Sequence, residues 1–415
     1  MPTFDTGNTG FMLLATSLVM LMTPGLAFFY GGLVGRKNVL AIMIQSFVSM
    51  GVTSVIWWLV GYSMCFSGDL ATGTDLWGII GNFHMSFLNG LSLNTPTPIN
   101  PSIPVFVFIA YQMMFAIITP ALISGAFANR VRFGAYLLFL CLWLLFVYFP
   151  FVHMIWGGGI LAQWGVKDFA GGIVVHNIAG FAALASVLYL GKRKVEDKGL
   201  HSIPLIALGT GLLWFGWYGF NAGSEFSVDA ITATAFLNTD LAASFASVTW
   251  LLLAWWLEKK PKFVGFLTGA VAGLATITPA AGYVTPKAAI IIGILAGVIC
   301  YFAVALKNKL EWDDALDVWG VHGVGGLIGI FFLGLFGSIA VNPAGTNGLI
   351  HGNAGFLWIE ALGVIISSIW AFVFTYGMLW AINKVTPVAL TKEEEMKGLD
   401  AVLHGETAYN YTDEF

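Results

Sequence analysis

Eleven stretches of about 20 apolar residues recur along this chain, and no other feature constrains its fold as tightly. They centre on residues 11–32, 38–64, 103–127, 133–155, 169–190, 203–222, 232–257, 263–280, 287–306, 320–340 and 355–383. In hydrocarbon every backbone N–H and C=O must be satisfied within the protein, so such stretches form helices or a closed barrel. Runs of this length are helical, because a membrane strand needs only about 10 residues. Charge density agrees: 10% of the 415 residues are charged, against about 25% in soluble domains. The 50 glycines suit closely approaching membrane helices. A net charge of −4 carries no nucleic-acid signal. The expected class is an all-α membrane protein with eleven transmembrane helices.

Basic residues orient the spans. Alternate loops hold Arg36, Lys37, Arg130, Arg132, Lys192, Arg193, Lys194, Lys198, Lys259, Lys260, Lys262, Lys307 and Lys309, and the C-terminal tail adds Lys384, Lys392 and Lys397. The other loops hold only Lys167 and Lys287. By the positive-inside rule the first set is cytoplasmic, with the N-terminus outside and the C-terminus inside. Residues 1–384 then form a transmembrane domain, with halves at about 1–200 and 201–340 and the eleventh helix at about 355–383; residues 385–415 form a cytoplasmic tail. The tail is polar, and reads as a disordered end or a docking segment. The outer connection from Ser67 to Ser102 reads as a plain surface loop.

One pattern repeats. Asp168 and His176, in DFAGGIVVHNIAG, are eight residues apart, as are Asp314 and His322 in DALDVWGVHGVGG. The two copies stand 146 residues apart at both positions, one opening the fifth span from outside and the other opening the tenth from inside. That antiparallel relation implies two inverted five-helix repeats plus one extra helix. Eight helical residues rise about 12 Å, so the two imidazoles approach the midplane of a ~30 Å core from opposite faces. Histidine inside an apolar span is costly and reads as functional. Each Asp is a natural N-cap. Asp314 is read as structural; Asp168, beside the outer end of the pathway, is read as a cap, a cation-attracting charge, or both.

A second cluster gathers at the outer ends. The stretches 111–130, 151–160 and 214–224 bring Trp156, Trp217, Phe220 and Ser224 to one level, with Phe115 deeper. Aromatic faces and a hydroxyl suit a small cation. Glu360, at the start of the eleventh span, is expected to reach outward to the interface with no role. Cys65, Cys141 and Cys300 are too scattered for a CxxC pair and read as buried apolar residues. No HExxH, phosphate loop or GxSxG element occurs, so no catalytic residue, metal ligand or cofactor is expected, and the chain does not read as an enzyme.

The segments FFYGGLVGRKN, HMIWGGGILA, DFAGGIVVHNIAG, WFGWYGFNAGS, GVHGVGG and GLDAVLHGETAYN together resemble the ammonium transporter (Amt/Mep/Rh) family, in its bacterial and archaeal Amt form. The resemblance spans essentially the whole chain. It implies a homotrimer in the cell membrane with one pore within each subunit. Phe115, Trp156 and Ser224 would recruit ammonium (or its analogue methylammonium) at the outer mouth, with Asp168 in support. Phe115 and Phe220 would occlude the way in, Trp217 and Tyr30 would line the approach or pore, and His176 and His322 would be its twin histidines. Tyr111 stands where many bacterial members have phenylalanine. The tail resembles the segment through which members communicate with PII-type signalling proteins.

Physical chemistry then suggests a route. A bare cation in a dry lumen is costly, whereas neutral ammonia is not, and loss of a proton separates ammonium from potassium. Three other readings remain: an ammonium sensor with little flux, an Rh-like neutral gas channel, and a bis-histidine haem protein.

Overall fold

The computed structural model describes residues 4–195 and 199–409. Lys198 and the last six tail residues, counted in the expectations above, lie outside the described residues.

Apolar runs become helices almost wherever the sequence places them. In chain order the membrane helices are α1 (Thr6–Leu33), α2 (Arg36–Phe66), α3 (Val105–Phe127), α4 (Phe133–Trp164), α5 (Gly172–Leu190), α6 (Ile203–Glu225), α7 (Ala230–Glu258), α8 (Phe263–Ile277), α9 (Pro286–Lys309), α10 (Trp319–Phe336) and α11 (Ala354–Val385). Ten are long and apolar enough to cross a bilayer by themselves; α8, with 15 residues, is not. Its run was expected to continue to residue 280. Thr278 still holds helical angles, but Pro279 has no N–H to continue the hydrogen-bond ladder, and the helix ends at Ile277. The chain continues through turns at Thr278–Tyr283, largely buried in protein, which is where non-helical backbone is tolerated at membrane depth. Among the described residues β-structure is confined to isolated bridges.

Small residues set the packing. α1 lies along α6, where a Cβ on Gly209 would overlap the backbone nitrogen of Phe29. α7, α8 and α9 pack as a group, and α5 packs against α11. The openings of α5 and α10 meet at a backbone-to-backbone contact: a Cβ on Gly180 would overlap the Cα and N of Gly323. Large aromatics such as Trp57, Trp143 and Trp217 fill the interior, while Leu252, Trp256, Ile365 and Ile369 face outward. Apolar side chains on the outside are what a lipid-facing surface requires.

The tail docks. Its short helix α12 (Lys392–Lys397) has a Thr391 capping box. Asp400 accepts hydrogen bonds from the amides of Leu40 (3.1 Å) and Ala41 (2.8 Å) near the start of α2, and Leu399 N donates to Asn38 Oδ1. Glu395 accepts from the amides of Lys194 and Val195, and Glu394 pairs with Arg132 at 2.7 Å. Of the two expectations for the tail, docking describes residues through Tyr409.

Candidate functional site

The repeated acids are helix caps with geometry to match. Asp168 is 5% exposed and accepts four amide hydrogen bonds. Oδ1 takes Gly171 N and Gly172 N at 2.8 and 2.7 Å, and Oδ2 takes Ile173 N and Val174 N at 2.8 and 3.1 Å. These are the amides that a helix start leaves without partners. Gly171 holds φ +118°, a conformation open to glycine, and so turns the chain into the helix beneath the carboxylate. Burial pushes the Asp168 carboxyl above its ordinary pKa while the four amides pull it down. Asp314 repeats the arrangement more sparsely, with Oδ2 accepting from Trp319 N at 2.8 Å. Burial pushes its carboxyl up to about 6 against the pull of Lys307, whose ammonium pairs with Asp317 and donates to the Asp314 carbonyl.

Both histidines lie in a wide π-helical turn, Gly172–Asn177 for His176 and Trp319–Gly323 for His322. Such turns are rare and frequently found at functional sites, although this chain also has them at Trp57–Gly61, Leu144–Tyr148 and Asp400–His404. The Gly180–Gly323 contact then brings the rings together: Nδ1 of His176 and Nδ1 of His322 are 3.3 Å apart, with ring centroids at 5.3 Å and planes 22° apart. One Nδ1 carries the shared proton and the other accepts it. The Nε2 of His176 has no hydrogen-bond partner among the described residues. The nitrogens are in direct contact, which leaves no place for a haem iron between them.

Two spaces flank a pair of phenylalanines. The first is a vestibule of about 550 Å³ whose walls include Phe115, Trp156, Asp168 and Ser224. All four residues expected at the outer site thus meet there. The second is an internal cavity of about 10 Å³, lined by His176, His322, Trp217, Phe220 and apolar side chains; that is about the room one water-sized molecule needs. Phe115 faces the vestibule and Phe220 the cavity, with ring centroids 4.2 Å apart. The ring pair stands between the two spaces.

Hydrogen bonds orient the walls. Trp156 Nε1 donates to the Asp168 carbonyl at 2.8 Å, and its ring meets Phe115 edge-on at 5.9 Å. Trp217 Nε1 donates to Thr278 Oγ1 at 2.9 Å, and its ring stacks on His176 at 5.3 Å. The Tyr111 hydroxyl lies 2.9 Å from the carbonyls of both Gly219 and Phe220 and 3.2 Å from Ser224 Oγ. Ser224 in turn donates to Phe220 O. With both hydroxyl protons spent on carbonyls, the Ser224 oxygen keeps its acceptor capacity.

Some expectations shift. Tyr30 is not in the cavity lining: its hydroxyl donates to Leu122 O at 2.9 Å and it neighbours Asp314 and Asp317, toward the tail face. Glu360 does not reach an interface but is 0% exposed, with Oε1 accepting from Lys167 N at 2.7 Å and Oε2 unpartnered among the described residues. The segment 67–102 is more than a surface loop. Its Asp75 reaches the buried His153 at 3.0 Å, and its Asn100 donates to Phe226 O and forms part of the vestibule wall. Sequence reasoning passed over Gln112, Glu225, Tyr283 and His153. Their signal was weak, since each is a polar residue in or beside an apolar run with no spacing pattern of its own.

Comparison with known proteins decides the family. The Ammonium Transporter Family matches residues 10–409. The chain belongs to that family. It is 45% identical to the ammonium transporter of Bacillus subtilis, covering 97% of this chain and 98% of that one. Ammonium transporter Amt1 of Archaeoglobus fulgidus is 41% identical over 97% and 99% of the two chains. Among solved structures, this ammonium transporter family member is similar to the Mep2 mutant S453D of Candida albicans, with a TM-score of 0.87, 37% identity and coverage of 94% and 89%. It is also similar to a structure titled Sensor Amt Protein, with a TM-score of 0.85, 30% identity and coverage of 96% and 98%. Family and helices together make the chain a multi-pass membrane protein.

Proposed function

We propose that this chain carries ammonium across the cell membrane, recruiting the cation in the vestibule and passing neutral ammonia through the histidine-lined interior. The observation that carries the reading is the pair of unlike spaces on either side of Phe115 and Phe220. One is wide, aromatic and polar; the other holds about one small molecule beside the free Nε2 of His176. Trp156 and Phe115 offer π faces to a cation, worth about 0.5–2 kcal/mol, and Ser224 offers an acceptor. Crossing the phenylalanine pair as a bare ion would cost several kcal/mol of desolvation, so the proton leaves first and the neutral molecule enters. Inside, the imidazole nitrogens exchange hydrogen bonds with ammonia, one donor and one acceptor per neutral ring. Asp168 holds the opening of α5, and through it His176, in place.

The same reading includes eleven spans, α8 being completed by the turns that follow it, in two inverted halves plus α11. It places the vestibule outside and the tail inside, three subunits together with one pore each, and a PII-type signalling protein at the tail face. Support for orientation comes from the basic loops, and for the repeat from the mirrored Asp–His geometry.

Uptake of methylammonium into liposomes containing the purified protein tests this, with current recorded during an ammonium pulse in wild type and His176→Ala. Saturable uptake that falls in Trp156→Leu and Ser224→Ala supports recruitment of the cation. A protein that binds ammonium but shows no uptake is a sensor, the reading favoured by the likeness to the Sensor Amt Protein. Uptake indifferent to both vestibule substitutions identifies an Rh-like gas channel.

A further inference from the structure

Three ionisable side chains help wall the vestibule: Lys167, Asp168 and Glu225. The carboxylate of Asp168 is committed to four amides at the start of α5, so its oxygens are not free to contact a cation. Lys167 brings an opposing positive charge. The pair sums to zero, and an entrance built from it would attract no cation by charge. Glu225, when ionised, makes the sum −1. It follows Ser224 directly in the chain, ends α6 and is half-buried in the vestibule wall. No hydrogen bond or ion pair within the protein occupies its carboxylate among the described residues. A second feature marks the same space as a binding site. Gln112 is 4% exposed, lines the vestibule, and keeps its Oε1 without a protein partner among the described residues.

We infer that Glu225 sets the affinity of the vestibule for the incoming monovalent ammonium cation, supplying the uncommitted negative charge beside the Ser224 oxygen and the aromatic faces. This rests on the reading of the vestibule as the ammonium entrance. Aromatic faces and a hydroxyl attract a cation only at contact. A carboxylate acts over several ångströms and concentrates the ion before it is desolvated. Lys167 limits the effect, so the two side chains act as an opposed pair that tunes the affinity.

The test compares wild type, Glu225→Gln, Glu225→Asp and Lys167→Met in liposomes, with methylammonium as substrate at low and physiological ionic strength. At low salt Glu225→Gln is expected to raise KM about 3- to 10-fold, the effect of removing one charge within several ångströms in a partly aqueous site, with the maximal rate retained. The difference should shrink at physiological ionic strength, where screening sets in within about 8 Å. Glu225→Asp should return KM toward wild type, and Lys167→Met should lower it. In parallel, ammonium binding to detergent-solubilised wild type and Glu225→Gln is followed by intrinsic tryptophan fluorescence. Weaker binding by Glu225→Gln upholds the inference even if wild type shows no flux, an outcome that would remove the transport reading alone. Equal binding by the two proteins, or an unchanged KM at low salt, overturns the inference while leaving transport intact. A loss confined to the maximal rate also overturns it, since charge recruitment acts on affinity.

Discussion

Replacing Asp168 by Asn separates a capping acid from a merely attractive one. Each carboxylate oxygen of Asp168 accepts two amides at 2.7–3.1 Å, in a site that is 5% exposed. Asparagine keeps one oxygen and puts an NH2 in place of the other. Two buried amides then lose their acceptor and face a donor instead. A buried unsatisfied N–H costs about 1–3 kcal/mol, so the substitution costs about 2–6 kcal/mol. The penalty falls on the turn that carries His176, eight residues on. Thermal unfolding in detergent should show Tm lower by about 2–7 °C, and methylammonium uptake should fall with it. Asp168→Glu adds a methylene but keeps the charge, and should also lose stability, because the longer side chain displaces the two oxygens from the amides. If Asp168→Asn keeps the wild-type Tm and changes only KM, the capping argument is wrong and the acid acts through its charge alone.

Gly180→Ala should lower both Tm and uptake, because a Cβ there meets the backbone of Gly323; overpacking of this kind costs about 1–3 kcal/mol and drives α5 and α10 apart. Wild-type Tm and uptake in that variant would show that the two backbones are not held together. At the tail face, Asp313 bridges Arg130 (3.3 Å) and Arg193 (2.7 Å). Burial would raise its pKa, but the hydrogen bond from Arg193 and the two guanidinium charges outweigh it and hold the carboxyl below its ordinary value. A depressed folded pKa contributes stability above the ordinary carboxylate value that is lost as pH falls through the folded one. Asp313→Asn should therefore cost about 2–3 kcal/mol near neutrality, since Arg130 is left buried without its counter-charge. The Tm gap to wild type should close below about pH 4; a gap that persists there would contradict the ion-pair account.

The membrane class, the helices and the two Asp–His pairs were legible in residue order because they depend on local chemistry. A run of 20 apolar residues closes its own backbone hydrogen bonds, and an acid just before a helix caps it. Span level grouped Trp156, Trp217, Phe220 and Ser224, with Phe115 deeper, and the family resemblance added Asp168; Phe115, Trp156, Asp168 and Ser224 share one vestibule, whereas Trp217 and Phe220 line the inner cavity. What failed, failed for want of neighbours. The run at 263–280 looked like a full span until Pro279 ended α8 and the surrounding protein satisfied the turns beyond. Glu360 looked interfacial because its burial depends on contacts with the Val166–Lys167 segment, nearly 200 residues away. The loop at 67–102 looked idle because its partners, His153 and Phe226, belong to other segments.

Asp168 and His176 mark the division most sharply. Eight residues of spacing put the acid at the mouth of a helix and the histidine deep within it, whatever else the chain did. That the helix opens in a π turn, that Gly180 meets Gly323, and that two imidazole nitrogens stand 3.3 Å apart belong to the tertiary structure. They depend on how closely two helices approach, and that distance is set by side chains more than a hundred residues apart.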